Sequence, residues 1–233
     1  MKFILSKNQL RRFPVYLTFF KKCDEMGLKY INSSMVAEAL NLNEEQVRKD
    51  IQLFSTVSGV PNKGREIKKL ITDIERVLGC ESTNNAVLVG VGSLGKALLN
   101  YRGFDEYGLK IVAGFDKDEY TIGKRINDVQ IYDIHRMYGT VKDLNAYIGI
   151  ICVPPSNAQE VCDALIESGI EAIWNFSPTT LKVPSNIIVS DVNMAVSLAE
   201  LSHKLYMQKI KENKNGKWSL SKRSCSRSWW TCK

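Results

Sequence analysis

The sequence predicts an α/β protein in which an N-terminal winged helix-turn-helix precedes a Rossmann domain, a doubly wound parallel sheet, and ends in a terminal helix. Three observations predict this. Two short helical patterns joined by a tight turn occupy residues 33–54. From Ala86 onward, short apolar runs alternate with amphipathic helices, which is typical of a parallel sheet covered on both faces. A G-x-G-x-x-G pattern follows the first of these runs.

The first 80 residues have the pattern of a DNA-binding domain. Asn43 is expected to cap a helix from Glu44 to about Phe54, and the helix before it completes a helix-turn-helix. The turn-rich, basic stretch from Ser55 to Arg65 has the size of a hairpin and predicts a wing. On the recognition helix, the wing and the first helix, we predict six DNA contacts: Gln46, Arg48, Lys49, Lys63, Arg65 and Arg11.

The charge is divided unevenly along the chain. The net charge is +7, with +5 in residues 1–80, −4 in residues 81–210 and +6 in residues 211–233. A basic module suits a polyanion and an acidic one does not. The expected organisation is therefore a winged-helix domain at 1–80, a Rossmann domain at 86–193, a terminal helix at 194–210 and a basic tail at 211–233. We expect the tail to be disordered, with contact to nucleic acid or a membrane surface as the alternative.

Other classes of protein are disfavoured. The chain lacks an apolar run near the ~18 residues needed to span a bilayer. Its beginning lacks a signal-peptide cleavage pattern, so we expect a cytoplasmic protein without membrane contact. The six cysteines include no C-x-x-C pair and there are two histidines, so we expect reduced thiols and no metal site.

The glycine pattern predicts a dinucleotide site. Gly90 allows a tight turn, Gly92 lets the backbone approach a pyrophosphate, and Gly95 lets helix and strand pack closely. The helix that follows presents backbone N–H groups and a partial positive charge to the phosphates. We therefore expect the whole turn to bind the cofactor, namely Gly90, Val91, Gly92, Ser93, Leu94 and Gly95.

An acidic residue completes the adenosine half of this site. Asp116 ends the second predicted strand, 21 residues after Gly95. A carboxylate there accepts hydrogen bonds from the ribose hydroxyls and repels a 2′-phosphate, which favours NAD(H) over the phosphorylated cofactor. Lys117, which follows directly and is also expected at the site, weakens that preference slightly.

Two further strand ends are candidates for the nicotinamide half. Val153 and Pro154 follow one predicted strand, and Asn175 ends the next. Ligands of open α/β sheets bind at the carboxyl ends of the strands, so we expect these residues to wall the site. Structural turns explain the same residues nearly as well.

The sequence offers little for catalysis. His135 and His203 lack an evident acidic partner nearby in sequence, and Tyr120 and Lys124 lie on the adenosine side. Only about 40 residues follow the predicted strand at 172–175 before the basic tail, and these are too few for a second, catalytic domain. We predict no catalytic residue, and keep a small NAD- or CoA-binding Rossmann enzyme as the alternative.

Taken together, these elements resemble the Rex family of redox-sensing transcriptional repressors. The similarity runs from about Gln9 to Leu205. The segments that carry it are Gln46–Asp50, Val89–Leu98, Leu99–Phe104, Gly114–Asp116, Asn175–Pro178 and Asp191–Asn193.

The resemblance implies a homodimer that exchanges its terminal helices and binds a palindromic double-stranded operator. It also implies that Tyr101 lies near the nicotinamide, that NADH releases the repressor and NAD allows binding, and that the regulated genes serve fermentation or respiration.

The chain departs from the family pattern at two places. The wing, Ser55–Glu66, lacks the aromatic residues of the family, and Asn193 stands where the family usually has aspartate. The alternative hypothesis is therefore a divergent paralogue with an altered response to NAD(H).

Overall fold

The computed structural model describes residues 5–56, 58–60, 63–80 and 84–214. The chain divides into two compact units, Met1–Asp191 and Val192–Lys233. The first unit contains a helical N-terminal part and a seven-stranded sheet, each with its own apolar core. Of the boundary predicted at residues 81–85, residues 81–83 lie outside the described residues.

The N-terminal part is a winged helix-turn-helix. Its elements in chain order are α1 (Lys7–Glu25), β1 (Tyr30–Ile31), α2 (Ser33–Leu40), α3 (Glu44–Phe54), β2 (Arg65–Glu66) and α4 (Ile67–Leu78). Strands β1 and β2 pair antiparallel, and an antiparallel bridge between Val60 and Gly64 lies in the hairpin-sized stretch between α3 and α4. Gly64, at the foot of β2, has φ +86°, and a Cβ there would collide with the backbone of Ile31. A glycine is therefore needed where the wing returns to the domain.

The recognition helix α3 has the amphipathic form that the sequence predicts. Asn43 caps it, because its side-chain oxygen accepts a hydrogen bond of 3.1 Å from the backbone N–H of Gln46. Val47, Ile51 and Phe54 are buried against α1 and α4 residues in one core. Arg48 and Lys49 are exposed, so the polar face of α3 remains available to a ligand.

The second part of this unit is a Rossmann domain. Its strands are β3 (Asn84–Val89), β4 (Leu109–Asp116), β5 (Arg125–Ile126), β6 (Val129–Asp133), β7 (Ala146–Ile151), β8 (Ala172–Asn175) and β9 (Ile188–Asp191). Their order in the sheet is β5-β6-β4-β3-β7-β8-β9, parallel throughout except for the edge pair β5–β6. The six parallel strands thus have the doubly wound order 3-2-1-4-5-6, which confirms the predicted fold.

Helices cover both faces of the sheet. They are α5 (Ser93–Leu99), a 3₁₀ helix (Arg102–Tyr107), a short 3₁₀ turn (Ile134–Arg136), α6 (Met137–Asp143) and α7 (Pro155–Glu167). Residues such as Val87 and Phe115 pack on one face with α6 and α7. Leu88 and Ile150 pack on the other with α5. Burial on both faces explains why these strands read as continuous apolar runs.

The second unit contains α8 (Met194–Lys214). Asn193 caps it, because its side-chain oxygen accepts hydrogen bonds from the backbone N–H groups of Ala195 (3.1 Å) and Val196 (3.2 Å). The helix begins where the sequence predicts and runs four residues beyond the predicted end at Ile210. The rest of the predicted basic tail, residues 215–233, lies outside the described residues. Within the described part of the chain, every helix is too short or too polar to cross a membrane.

Candidate nucleotide and DNA sites

The glycine turn after β3 has the geometry of a dinucleotide-binding loop. Gly90 has φ +95°, and a Cβ there would lie 2.6 Å from the carbonyl oxygen of Cys152. A Cβ on Gly95 would collide with the carbonyl oxygen of Gly90. A Cβ on Gly92 would meet nothing within 4 Å. Two of the glycines are thus required by the protein's own packing, and Gly92 faces open space that a ligand can fill.

The sheet brings the predicted cofactor residues to one edge. Val89 pairs with Phe115 on one side and with Ile151 on the other, and Ile151 pairs with Asn175. The residues that follow these positions therefore emerge at the carboxyl edge, with the glycine turn at the point where the strand order reverses. This is where open α/β sheets bind ligands.

Asp116 is anchored beside the glycine turn. Its carboxylate accepts hydrogen bonds from the backbone N–H groups of Val91 (2.6 Å), Lys117 (2.7 Å) and Asp118 (3.0 Å). Val91 is buried, whereas the side chain of Lys117 is exposed. The bonds fix the negative charge next to the loop, at the carboxyl end of β4, where the ribose of a bound dinucleotide lies in this fold.

The residues predicted for the nicotinamide half differ in their availability. Val153 is half-buried and Pro154 is exposed just before α7. Asn175 is fully buried, and its side-chain N–H group donates to the carbonyl oxygen of Thr179 (2.9 Å) and to Asp191 (2.8 Å). Its side-chain oxygen accepts from the backbone N–H of Ser177 (2.9 Å). The amide of Asn175 therefore holds the loop after β8 through these three hydrogen bonds.

Tyr101 belongs to a row of aromatic rings. Ring centres are 4.9 Å apart between Tyr101 and Phe104, 5.6 Å between Phe104 and Trp174, and 4.6 Å between Trp174 and Phe176, all in edge-on geometry. Such contacts stabilise beyond the area that they bury. The row connects the carboxyl end of β8 to the 3₁₀ helix Arg102–Tyr107, and it contains Tyr101, which is predicted to lie near the nicotinamide.

The same 3₁₀ helix contacts the winged helix. The hydroxyl groups of Tyr107 and Thr18 lie 3.1 Å apart, and the ammonium group of Lys21 donates to the carbonyl oxygen of Glu106 at 3.3 Å. The Tyr107 ring packs against the core of the winged-helix domain. Segment 102–107 thus touches α1 at one end and the aromatic row at the other.

A buried carboxylate organises the recognition helix. Asp50 is 1% exposed and forms a bidentate ion pair with Arg12, with N···O distances of 2.7 and 2.9 Å. The Tyr16 hydroxyl and the Gln46 amide also donate to it, at 2.9 and 3.1 Å. Burial, assisted by the bond to Asp50, raises the pKa of Tyr16, so the phenol remains a donor. Asp50 lies on the apolar stripe of α3 between Val47 and Phe54. A charged residue on an apolar stripe indicates a buried ion pair, and the sequence analysis did not use this signal.

The other predicted DNA contacts lie on the surface. Lys49 is exposed and pairs with Glu45 at 2.9 Å, an interaction that contributes little in water. Lys63 is exposed, with its ammonium group 5.9 Å from the centre of the Tyr30 ring. Arg65 is half-buried on β2, and Arg11 is exposed on α1. Lys63 and Arg65 thus both lie at the hairpin, and Pro61 and Asn62 of the predicted wing lie outside the described residues.

Two family models match the chain. One is described as a putative DNA-binding protein N-terminus and matches residues 5–51. The other is described as a CoA binding domain and matches residues 81–179. The first covers α1, α2 and most of α3, and the second covers the glycine turn and the strands on both sides of it.

Similar proteins include several redox-sensing transcriptional repressors. The protein Rex from Treponema denticola is 41% identical over 192 residues, which are 82% of this chain and 91% of the relative. Rex from Clostridium botulinum strain Eklund 17B is 35% identical over 205 residues, 88% of this chain and 97% of the relative.

Two crystal structures of a Rex-family repressor called RSP resemble more than nine-tenths of the chain. RSP in complex with β-NAD⁺ and operator DNA is 31% identical, with a TM-score of 0.81, covering 94% of this chain and 100% of RSP. RSP in complex with β-NADH is 31% identical, with a TM-score of 0.78, covering 91% of this chain and 99% of RSP.

Proposed function

Since the chain belongs to the Rex family of redox-sensing transcriptional repressors, we propose that it binds operator DNA and NAD(H) and represses transcription according to the NADH/NAD ratio. The observation that carries the proposal is the open backbone at Gly92 beside the anchored carboxylate of Asp116, on the same chain as an exposed recognition helix. The test is binding to a palindromic operator titrated with NAD and with NADH.

The biological role follows from the family. Its members are regulators, and the proposal assigns no catalytic residue to this chain. We propose a cytoplasmic protein that controls fermentative or respiratory genes. Loss of repression of such genes in a deletion strain, measured as transcript levels at high and low oxygen, tests this role.

For the cofactor, the proposed site comprises the glycine turn at the pyrophosphate and Asp116 at the ribose, with Lys117 beside it. Val153, Pro154 and Tyr101 line the nicotinamide half, and Asn175 supports it through the loop after β8. A fixed carboxylate repels a phosphate on the ribose, which the phosphorylated cofactor carries and NAD(H) lacks.

Asp116→Ala is expected to narrow the preference for NADH over NADPH by at least about tenfold, which corresponds to about 1.4 kcal/mol. Removal of the carboxylate takes away both the ribose acceptor and the repulsion of a 2′-phosphate. Calorimetric titration with both cofactors measures the change, with Asp118→Ala as the control from the same loop. If the unmutated protein bound both cofactors equally, the assignment of Asp116 would be wrong.

For DNA, the proposed contacts are Gln46, Arg48 and Lys49 on α3, Lys63 and Arg65 on the wing, and Arg11 on α1. The α3 residues are exposed, which supports their insertion into the major groove. Lys63 and Arg65 lie on the hairpin, which supports a contact with the backbone or the minor groove.

Arg48→Ala is expected to weaken operator binding. If Arg48 contacts a base, the loss is about 1–3 kcal/mol and specificity relaxes at one position. If it contacts a phosphate, binding weakens on all sequences and the salt slope falls by about one. Fluorescence anisotropy at several salt concentrations separates the two cases. Lys182→Ala removes one charge from the Rossmann domain and serves as the control; unchanged affinity for Arg48→Ala at fixed salt would refute the contact.

We also propose a homodimer that exchanges α8, which is the arrangement implied by the family resemblance. Met194, Leu198, Leu201 and Leu205 recur on one side of α8, and each is at least 51% exposed. Such an apolar stripe requires a partner surface in water.

Leu201→Glu is expected to convert the dimer to monomer at micromolar concentration, because it places a charge inside the apolar stripe of α8. Light scattering after gel filtration measures the mass. His203→Glu, half a turn away on the helix, is the control and should remain dimeric. If Leu201→Glu remains a dimer with an unchanged dimer dissociation constant, this stripe is excluded as the interface.

A further inference from the structure

The first turn of α3 presents a glutamine whose amide is fixed by a buried carboxylate. The side chain of Gln46 is exposed, and its amide nitrogen donates to Asp50 at 3.1 Å. We infer that Gln46 reads an adenine in the major groove of the operator and that Asp50 is the residue that positions it. The inference rests on the proposed function, since it requires α3 to enter the groove.

The place of Gln46 on the helix favours a base contact. Asn43 caps α3, so Gln46 is the third residue of the helix. In helix-turn-helix proteins, the N-terminal residues of the recognition helix contact base edges. Gln46 is one turn before Asp50, and its side chain lies at the end of α3 that meets the bases.

The bond to Asp50 decides which way the amide faces. A buried, arginine-paired carboxylate is an acceptor, so the amide group that meets it is the nitrogen and not the oxygen. One N–H of Gln46 is used in this way, and the carbonyl oxygen and the second N–H remain for a ligand. The amide thus presents one acceptor beside one donor.

This donor and acceptor pair matches adenine. In the major groove, adenine offers the N7 acceptor and the N6 amino donor side by side. Guanine offers two acceptors there, so the Gln46 oxygen would face the guanine O6 without a hydrogen between them. Thymine and cytosine each offer a single polar group. The fixed amide can therefore form two hydrogen bonds with adenine, whereas its oxygen repels the O6 atom of guanine.

The network around Asp50 keeps this arrangement in place before DNA arrives. Arg12 holds the carboxylate with two bonds and Tyr16 with a third, and these residues belong to α1, not to α3. Because the carboxylate is anchored from outside the recognition helix, it restricts the rotamers of Gln46 in the free protein. A side chain ordered in advance loses less conformational entropy on binding.

The experiment uses the full-length protein and a palindromic operator that it selects from random DNA. At each selected adenine, 7-deazaadenine removes the N7 acceptor and purine removes the N6 amino group. We expect one adenine per half-site at which each of the two replacements weakens binding. The two losses of operator affinity combined should lie between about fivefold and 150-fold. Gln46→Ala should bind the normal and modified operators equally. Gln52→Ala, an exposed glutamine later on the same helix, should retain the full difference.

The outcomes separate this inference from the proposed function. If the protein selects no operator, the proposed function fails and the inference fails with it. If it selects an operator and Gln46→Ala keeps the sensitivity to 7-deazaadenine, or loses affinity equally on all sequences, the inference alone is overturned.

The positioning role of Asp50 has its own readout. Asp50→Asn should reduce the ratio of affinities for normal and 7-deazaadenine operators, a ratio that a purely structural defect leaves unchanged. In the free, unmutated protein, NMR relaxation should show the Gln46 side-chain amide to be more ordered than that of Gln52. If Asp50→Asn leaves the ratio of operator affinities unchanged, Asp50 does not position Gln46. If Asp50→Asn does not fold, equal order of the Gln46 and Gln52 amides in the unmutated protein would overturn the role of Asp50.

Discussion

Gly92→Val is expected to abolish NAD(H) binding, with a loss of affinity of at least about 100-fold, while the protein remains folded. A Cβ at this position would meet no protein atom within 4 Å apart from its chain neighbours, so we expect the packing to remain unchanged. It instead fills the space through which the backbone approaches the pyrophosphate. Losing two hydrogen bonds to a charged phosphate costs about 3 kcal/mol or more, which corresponds to this factor.

Gly95→Ala is the matched control, because it tests the other role of glycine in the same turn. A Cβ there would collide with the carbonyl oxygen of Gly90, so helix α5 would have to move away from β3. We expect a lower melting temperature for Gly95→Ala and an unchanged one for Gly92→Val, measured by circular dichroism. NADH fluorescence gives the affinity. Tight NADH binding by folded Gly92→Val would exclude the glycine turn as the pyrophosphate site.

The sequence predicted most of the fold because its signals are local. The α4 helix, Ile67–Leu78, is an example, since its apolar spacing and the following Gly79, which has φ +76°, are both short-range features. The strands at both sides of the glycine turn were recognisable as apolar runs, because a parallel sheet buried on both faces needs them.

The interactions missed by sequence reasoning are those between distant residues. Asp50 is 38 positions from Arg12, and Tyr107 is 89 positions from Thr18. Neither pair has a periodic pattern, and Asn175 looks like a ligand contact until its partner Asp191 is placed beside it by the pairing of β8 with β9. Side-chain networks of this kind depend on the tertiary fold, which sequence spacing does not encode.

A second large effect is expected in the coupling between cofactor and operator. We expect the affinity for NADH or for NAD to change by at least about tenfold when saturating operator is added, which corresponds to about 1.4 kcal/mol of coupling. The physical reason is that a dimer must place two recognition helices about 34 Å apart, one turn of DNA. A cofactor that favours one relative position of these helices must therefore respond to the DNA that requires it.

Within one subunit, the segment 102–107 provides a contact through which such a response can pass. Its Phe104 touches Trp174 at the end of β8, and its Tyr107 meets Thr18 on α1. Tyr107→Phe retains the ring and removes the hydroxyl. We expect it to reduce the coupling while the affinities for NADH alone and for operator alone change little. Tyr138→Phe, an exposed tyrosine on α6, should leave the coupling unchanged.

We expect the residue before α8 to influence the sign of the coupling. Asn193 caps this helix through its side-chain oxygen, as an aspartate would, but it carries no charge. Any part of the family's switch that uses a charge at this position is therefore missing, and Asn193→Asp should restore it by shifting the NADH response of operator binding.

The decisive measurement is the affinity for NADH and for NAD, each with and without operator. By reciprocity, a cofactor that weakens operator binding must itself be bound more weakly by the same factor when operator is present. Two affinities, each unchanged by operator, would mean that the nucleotide is structural and that this chain does not sense redox state.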